Sequence, residues 1–321
     1  MNTAINWVMR PFVIGLVALA LLFGSSAPSP AAAQAPGSFD VRDHPIYLIA
    51  SYYNAIALQD YGRAYGYWNG NAPGGITYQQ FVQGFADVQT VRALARLPVV
   101  MSAAAGTAHA EVPVVVLTTL KSGGSQIFAG CFHAVKTNVP VGDPGVVDPN
   151  WYLNSAVLNP AMSVDFLQAT NACSQADVFP TSTGVHDQQS PLDLITSYYD
   201  AIAATDYYRA YHYWPNGAPG QTLDQFAQGF AGTANIGVVV GLSFHIGAAA
   251  GSTYANTPLL ITATSWGQSQ LFVGCIVARK SNVPVGNSPA PDPNWYLYSA
   301  NINPVSTLDA GVQQVWNACS G

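Results

Sequence analysis

Histidine and acidic side chains are the first residues in this 321-residue chain that could do chemistry. His109 and Glu111 lie two residues apart in an apolar stretch, and alternate side chains of a strand point to one face. Such a pair offers two metal ligands, but two are too few to define a metal site. The second half of the chain resembles the first and carries Tyr254 and Asn256 at these positions. We therefore interpret the pair as polar side chains that face solvent.

The other histidines also lack a counterpart when the two halves are aligned. If both halves shared an activity, the residues that carry it would occur at equivalent positions in each half. We find no repeated histidine, because His133, His212 and His245 align with Val277, Gly66 and Val100. His245 is interpreted as an interior histidine, and a disulfide at Cys131 would prevent that thiol from acting beside His133. The sequence thus predicts no catalytic residue, no metal site and no cofactor, and it leaves open an activity present in one half only.

Asp60 and Arg63 are acidic and basic residues that are repeated, as Asp206 and Arg209. An aspartate three residues before an arginine at the start of a helix suits an N-cap with a local ion pair. A catalytic acid is the alternative interpretation of the aspartates.

Aromatic residues are the densest repeated feature. The segment SYYNAIALQDYGRAYGYW at 51–68 returns as SYYDAIAATDYYRAYHYW at 197–214, and residues 50–74 match 196–220 at 16 of 25 positions. The chain therefore contains a duplicated domain. Its aromatic side chains fit either core packing or the wall of a pocket in which an apolar ligand meets a few hydroxyl groups. The candidate pocket residues are Tyr52, Tyr65, Trp68, Tyr198, Tyr211 and Trp214.

The elements that position these residues follow the same order in both copies. We place a lead-in at 36–44, copy one at 45–174, a linker at 175–190 and copy two at 191–321. Each copy begins with three helices, indicated by helical spacing of apolar residues and by Thr–x–x–Gln capping patterns at Thr77 and Thr222. Runs rich in Val, Thr and Ile then predict strands, and a short helix ends each copy. The predicted strands are 91–104, 108–120, 126–136, 151–158, 236–249, 254–265, 270–280 and 295–302.

Helices followed by a mainly antiparallel sheet indicate an α+β fold rather than alternating βαβ units. The Tyr-Tyr-x-Ala-Ile opening, the Asp-Tyr-x-x-Ala-Tyr-x-x-Trp segment and the Phe-x-x-Gly-Phe helix resemble the nuclear-transport-factor-2-like superfamily. The resemblance covers both copies and implies two tandem cone-shaped domains, each with three N-terminal helices packed on a curved sheet. We expect each copy to form its own sheet, so that one continuous sheet through both halves would contradict this arrangement. Isomerases of the superfamily use a carboxylate in the cone, and no matching residue can be assigned here.

Four cysteines occur, two in each copy, and four cysteines allow three pairings. Because Cys131 aligns with Cys275 and Cys173 with Cys319, the duplication favours pairing within each copy. We predict the disulfides Cys131–Cys173 and Cys275–Cys319, each tying the terminal helix to a long strand. Free buried thiols or a zinc site are the alternatives, and the absence of a C-x-x-C motif disfavours zinc.

Residues 1–35 have the features of a signal peptide. A basic residue, Arg10, precedes a twelve-residue apolar run, and small residues follow. We predict cleavage after Ala35, with a cut after Ala33 or an uncleaved anchor as alternatives. The protein is then secreted or periplasmic, which agrees with disulfide formation.

Charged residues make up only 8% of the chain, and it contains no run of lysine or arginine. This composition disfavours nucleic acid and anionic membrane surfaces as partners. Three hypotheses for function remain. The first is a non-catalytic binding protein for a small apolar or aromatic ligand or for another envelope protein. The second is an isomerase or polyketide-cyclase-like enzyme active in one copy, and the third is a structural protein whose copies pair as an intramolecular pseudo-dimer.

Overall fold

A computed structural model describes residues 37–68, 70, 73–104, 106–139, 147–173, 186–284 and 290–320. The predicted signal peptide and most of the predicted linker lie outside these residues, so both stay predictions. Among the described residues no helix is long and apolar enough to cross a membrane.

The described chain contains eight α-helices, and each copy opens with three of them, as predicted. Side chains cap their first turns. Asp60 and Asp206 accept hydrogen bonds from backbone N–H groups, and Thr77 and Thr222 form complete capping boxes with Gln80 and Gln225. The helices are α1 (Pro45–Ala57), α2 (Tyr61–Gly66), α3 (Tyr78–Gly84), α4 (Phe166–Asn171), α5 (Pro191–Ala203), α6 (Tyr207–His212), α7 (Leu223–Gly229) and α8 (Leu308–Val315).

Within the described residues five strands follow the three opening helices of each copy, where the sequence predicted four. The first predicted strand is broken in both copies. In copy one the break falls at Pro98, which has no N–H to donate to a ladder. The last strand of each copy runs through a proline that was expected to end it, because an edge strand tolerates proline. The strands are β1 (Val88–Leu97), β2 (Val100–Ala104), β3 (Thr107–Leu120), β4 (Ser125–Thr137), β5 (Tyr152–Ala161), β6 (Thr233–Gly241), β7 (His245–Ala249), β8 (Ser252–Ser265), β9 (Gln268–Ser281) and β10 (Tyr296–Val305).

All ten strands belong to one antiparallel sheet. Its main path is β10-β9-β8-β6-β1-β3-β4-β5, with β2 paired to β3 and β7 paired to β8. The two copies join where β1 pairs with β6, from Leu94 opposite Gly241 to Leu97 opposite Val238. The expectation of two separate sheets is therefore wrong. The physical reason is that β1 and β6 would each present an apolar edge with unpaired backbone groups, and pairing the two edges satisfies those groups.

The hydrophobic core lies on both faces of this sheet. On one face the six N-terminal helices of the two copies cover the strands, and the buried cluster there extends from Ile46 of copy one to Leu192 of copy two. On the other face α4 and α8 cover a smaller cluster that combines Val115 with Leu260. The coarse α+β class is thus confirmed, while the division into two cone-shaped domains stays a prediction.

Candidate ligand site on the outer sheet face

Strand β3 of copy one sends alternate side chains to opposite faces of the sheet. Ala110 and Val112 are buried beneath the N-terminal helices. His109 and Glu111 therefore point to the other face, the one that carries α4, where both are half-buried. The sequence prediction that these two side chains share a face is consistent with this alternation.

Strand register brings a third chemical group to the pair. Glu111 lies directly opposite His133 of β4, and His133 lies opposite Ser155 of β5. On the other side of β3, His109 lies opposite Ser102 of β2. Four adjacent strands thus place these polar side chains side by side on one face.

The two imidazoles are hydrogen-bonded to each other. His109 Nδ1 lies 3.1 Å from His133 Nε2. The ring planes differ by only 10°, and the ring centroids are 5.3 Å apart, which exceeds the nitrogen–nitrogen distance by about two imidazole radii. The rings therefore meet edge to edge rather than face to face, as a direct N–H···N hydrogen bond requires.

Asn154 fixes the tautomers of this pair. The register of β4 and β5 shifts beside His133, and Asn154 lies at this bulge, where its Nδ2 donates to His133 Nδ1 over 3.1 Å. Since His133 Nδ1 accepts, Nε2 carries the proton of the neutral ring and donates to His109 Nδ1. Asn154 therefore donates a hydrogen bond to His133, and His133 donates one to His109.

Burial lowers the pKa of His133, and the neighbouring His109 lowers it further, whereas the charge of Glu111 raises it. The net shift is downward from the ordinary value. His133 is accordingly neutral at neutral pH, and a neutral imidazole keeps a lone pair for an acceptor role or for a metal ion.

These side chains line an open cleft of about 460 Å³, here called the copy-one cleft. Its volume is within the range of small-ligand sites. The Cys131–Cys173 disulfide borders it, and the Glu111 carboxylate lies within 4.8 Å of both sulfur atoms. A disulfide holds no thiolate, so the sulfur atoms are not metal ligands in this state. The lining residues are Val100, Ser102, His109, Glu111, Cys131, His133, Ser155, Val157 and Ala172.

Copy two has different chemistry on the equivalent face. Tyr254 replaces His109 and packs edge-on against Tyr298, with ring centroids 5.4 Å apart. The Arg279 guanidinium lies 6.0 Å and 5.9 Å from the centres of these two rings. Asn256 and Val277 stand where copy one has Glu111 and His133. The polar cluster is thus specific to copy one.

The candidate aromatic pocket residues lie elsewhere, between the N-terminal helices and the sheet. Tyr52 is 4% exposed, and its ring lies 5.8 Å from Trp68 and 6.0 Å from Phe132. Tyr198 and Trp214 repeat this packing in copy two at 6.5 Å. The Tyr65 and Tyr211 hydroxyls donate to the Ile76 and Gln221 carbonyls, over 3.1 and 2.8 Å. These contacts show packing, and the role of the six residues in ligand binding stays a prediction.

Each of these interiors contains a buried indole N–H. Trp68 Nε1 and Trp214 Nε1 have no hydrogen-bond partner of good geometry among the described residues. Burial raises the pKa of Tyr52 and Tyr198, and the neighbouring indole of each copy lowers it by a smaller amount. Each indole therefore lies near a tyrosine oxygen without forming a well-aligned bond, and we treat these groups as unsatisfied.

His245 is exposed at the start of β7, so its interpretation as an interior histidine is wrong. The repeated aspartates, arginines and cysteines have structural roles. Asp60 Oδ1 accepts from the Arg63 backbone N–H at 3.2 Å, and Arg63 Nε lies 3.1 Å from Asp60 Oδ2. Asp206 and Arg209 repeat both contacts. The cap with an ion pair is confirmed. Both predicted disulfides, Cys131–Cys173 and Cys275–Cys319, are also confirmed.

Sequence reasoning missed that His133 belongs with His109 and Glu111. The signal was the turn Lys121-Ser122-Gly123-Gly124, whose two glycines have positive φ. This turn sets Thr119 opposite Ser125. Moving away from the turn by the same number of residues along each strand then brings Glu111 opposite His133. Recognising the hairpin would therefore have predicted the cluster.

The chain matches no known protein-family model and no curated protein sequence. Its function is therefore argued from the chemistry and geometry of the copy-one cleft.

Proposed function

We propose that this protein is an exported, non-catalytic binding protein and that the copy-one cleft is its ligand-binding surface. Two disulfides fit a protein that folds in an oxidising extracytoplasmic compartment. The predicted signal peptide supports the same location.

The observation that carries this proposal is the convergence of His109, Glu111 and His133 in one cleft. Their backbones belong to paired strands, so the side chains are held on a rigid surface, which lowers the entropic cost of binding. The cleft also offers the hydroxyls of Ser102 and Ser155. A small ligand with both hydrogen-bond donors and acceptors matches this lining better than the purely apolar ligand expected from the sequence.

The position of the cluster supports binding over isomerase or cyclase chemistry. Such an enzyme would need a carboxylate or imidazole beside a tyrosine hydroxyl inside the cone. Glu111 and His133 lie on the opposite sheet face from Tyr52, and the buried aromatic rings fill the space beside it. We retain the superfamily resemblance as a proposal, supported by the order of three helices and a sheet in each copy.

A structural role is the second candidate function, and the pairing of β1 with β6 favours it. In this proposal copy two completes the sheet and core of copy one, so that the chain acts as an intramolecular pseudo-dimer. Copy two would then support a binding surface that it does not share.

Titration of ¹⁵N-labelled protein with a set of small carboxylates, phenols and amines tests the binding proposal. We expect amide shifts at the copy-one cleft, and we expect Ser155→Trp to abolish them by filling the cleft. Ser299→Trp, the equivalent exposed position in copy two, is the matched control and leaves them intact. Shifts that survive Ser155→Trp would contradict the assignment of the site. Turnover of ketosteroids that His109→Ala abolishes would contradict the non-catalytic assignment.

A further inference from the structure

We propose that His109, Glu111 and His133 bind one divalent transition-metal ion of the zinc class. This inference rests on the proposed function, because it assigns the ligand chemistry of the same cleft. It contradicts the sequence-based expectation of no metal site, which counted only two ligands.

Strand register places the three residues side by side. The Glu111 carboxylate now lies within 4.8 Å of both disulfide sulfurs and not within that distance of both imidazoles, so it must turn toward them. His109 and Glu111 are alternate residues of β3, and His133 is the direct partner of Glu111 on β4. All three line the same cleft. Two bonds of about 2.0–2.1 Å at a tetrahedral zinc ion place their nitrogens about 3.3 Å apart. The observed separation of 3.1 Å between the imidazole nitrogens is close to that value.

Metal binding requires a change in the orientation of both rings and of the Glu111 side chain rather than in backbone position. The rings now meet edge to edge and share a proton, so they must turn until both lone pairs converge on one point. His133 would then bind through Nε2 and carry its proton on Nδ1. The Asn154 side chain, which now donates to Nδ1, would rotate and accept through its amide oxygen. The tautomer of His133 therefore changes.

The donor set selects the class of ion. Two imidazole nitrogens and one carboxylate oxygen suit zinc, nickel and copper, whereas magnesium and calcium prefer oxygen ligands alone. With Glu111 ionised the three ligands carry one negative charge, which favours a divalent cation. The cleft is open to solvent, so a fourth position remains for water or a bound small molecule.

The duplication supplies an internal control for stoichiometry. Copy two has Tyr254, Asn256 and Val277 at the three positions, and none of these offers an imidazole or a carboxylate. The proposal therefore requires one ion per chain. His245 and His212 lie outside the cleft and serve as matched control positions.

Calorimetric titration of metal-stripped, tag-free protein (residues 36–321) with ZnCl₂ tests the site. We expect one Zn²⁺ per chain and no competition from Mg²⁺. Either His109→Ala or His133→Ala is expected to weaken binding by at least about 100-fold, and Glu111→Gln by about 10-fold or more, because loss of a residue that only orients a metal ligand already costs about 10–100-fold. His245→Ala and His212→Ala are expected to leave the affinity unchanged.

Imidazole ¹⁵N spectra provide a second measurement that a folding defect cannot imitate. On adding Zn²⁺, we expect the proton of His133 to move from Nε2 to Nδ1. Absence of stoichiometric binding by the folded wild-type protein, or equal losses in the control variants, would overturn the metal proposal. Small-compound shifts at the cleft without metal binding would leave the proposed binding function standing, so the two proposals fail separately.

Discussion

At the residue scale, the pKa of His133 reflects the balance of burial and two neighbouring side chains. Burial and His109 lower it, and Glu111 raises it. We predict that Glu111→Gln lowers this pKa further, because it removes the favourable negative charge, and that His109→Ala raises it. NMR titration of the His133 ring measures both shifts, and shifts of the same sign in the two variants would contradict this account.

The same downward shift has a consequence for stability. A histidine whose pKa is lower in the folded protein binds protons more readily when unfolded. The contribution of His133 to the free energy of unfolding therefore falls as the pH drops below its pKa in the unfolded chain, about 6.5. Above that pH the contribution is fully present.

Two equivalent glycines allow the edge strands to approach. A Cβ added at Gly130 would overlap the Val157 carbonyl oxygen, and one added at Gly274 would overlap the Asn301 carbonyl oxygen. We predict that Gly130→Ala and Gly274→Ala each lower the free energy of unfolding by about 1–3 kcal/mol or more, because the strands must separate. Gly84→Ala, with open space around its Cβ, is the control, and chemical denaturation measures all three. If the three variants were equally stable, the close approach of the edge strands at Gly130 and Gly274 would be contradicted.

At the scale of elements, each disulfide ties a terminal helix to the sheet. Cys131 and Cys173 are separated by 42 residues, and Cys275 and Cys319 by 44. Loops of nearly equal length predict nearly equal entropic stabilisation, about 4 kcal/mol for each bond. Replacing either pair by serines should therefore lower the free energy of unfolding by a similar amount, measured by denaturant unfolding. A large difference between the two pairs would show that strain or contacts, rather than loop closure, decide their contribution.

Element order was predictable because local patterns determine it. Apolar residues at helical spacing, the capping boxes at Thr77 and Thr222 and the β-branched runs identified three helices and a sheet in each copy. The break between β1 and β2 was missed although Pro98 marks it in the sequence. In copy two the corresponding residues have no proline, and there Phe244 leaves the ladder to pack against Tyr47 of copy one, at 5.0 Å between ring centroids. That break depends on a contact between copies, which no local pattern reports.

At the scale of the whole molecule, the shared sheet and core make the two copies one folding unit. We predict a single calorimetric transition, because separating the copies would expose the paired edges of β1 and β6 together with their apolar side chains. Gly274→Ala in copy two should lower the melting temperature reported by a probe in copy one. Two resolved transitions, with only one affected by the substitution, would contradict this prediction.

A contact between His44 and Asp193 also links the copies. His44, which caps α1, lies 3.7 Å from the Asp193 carboxylate on α5, and Ser190 donates a hydrogen bond to Asp193 over 2.5 Å. Burial raises the pKa of Asp193, but the interactions with His44 and Ser190 lower it by more, so the net shift is downward.

We predict that Asp193→Asn lowers the free energy of unfolding by about 1–3 kcal/mol at neutral pH, the usual contribution of a charged hydrogen bond. A carboxyl whose pKa is lowered by folding stabilises the protein above its unfolded value of about 3.9, and this stabilisation is lost as the pH falls through the folded value. The free energies of unfolding of the variant and the wild type should therefore become equal at acid pH. Denaturant unfolding across this pH range measures the difference, and a constant gap would exclude the carboxylate charge as its cause.

The sequence by itself determined the duplication, the helix-then-strand order, the caps and the disulfide pairing. Each of these follows from spacing along the chain or from comparing one copy with the other. Only the tertiary structure decided that β1 and β6 join the copies and that the His109 and His133 rings come within hydrogen-bonding distance. The reason is that edge pairing and side-chain contacts across the sheet join residues far apart in sequence, whose meeting no local periodicity specifies.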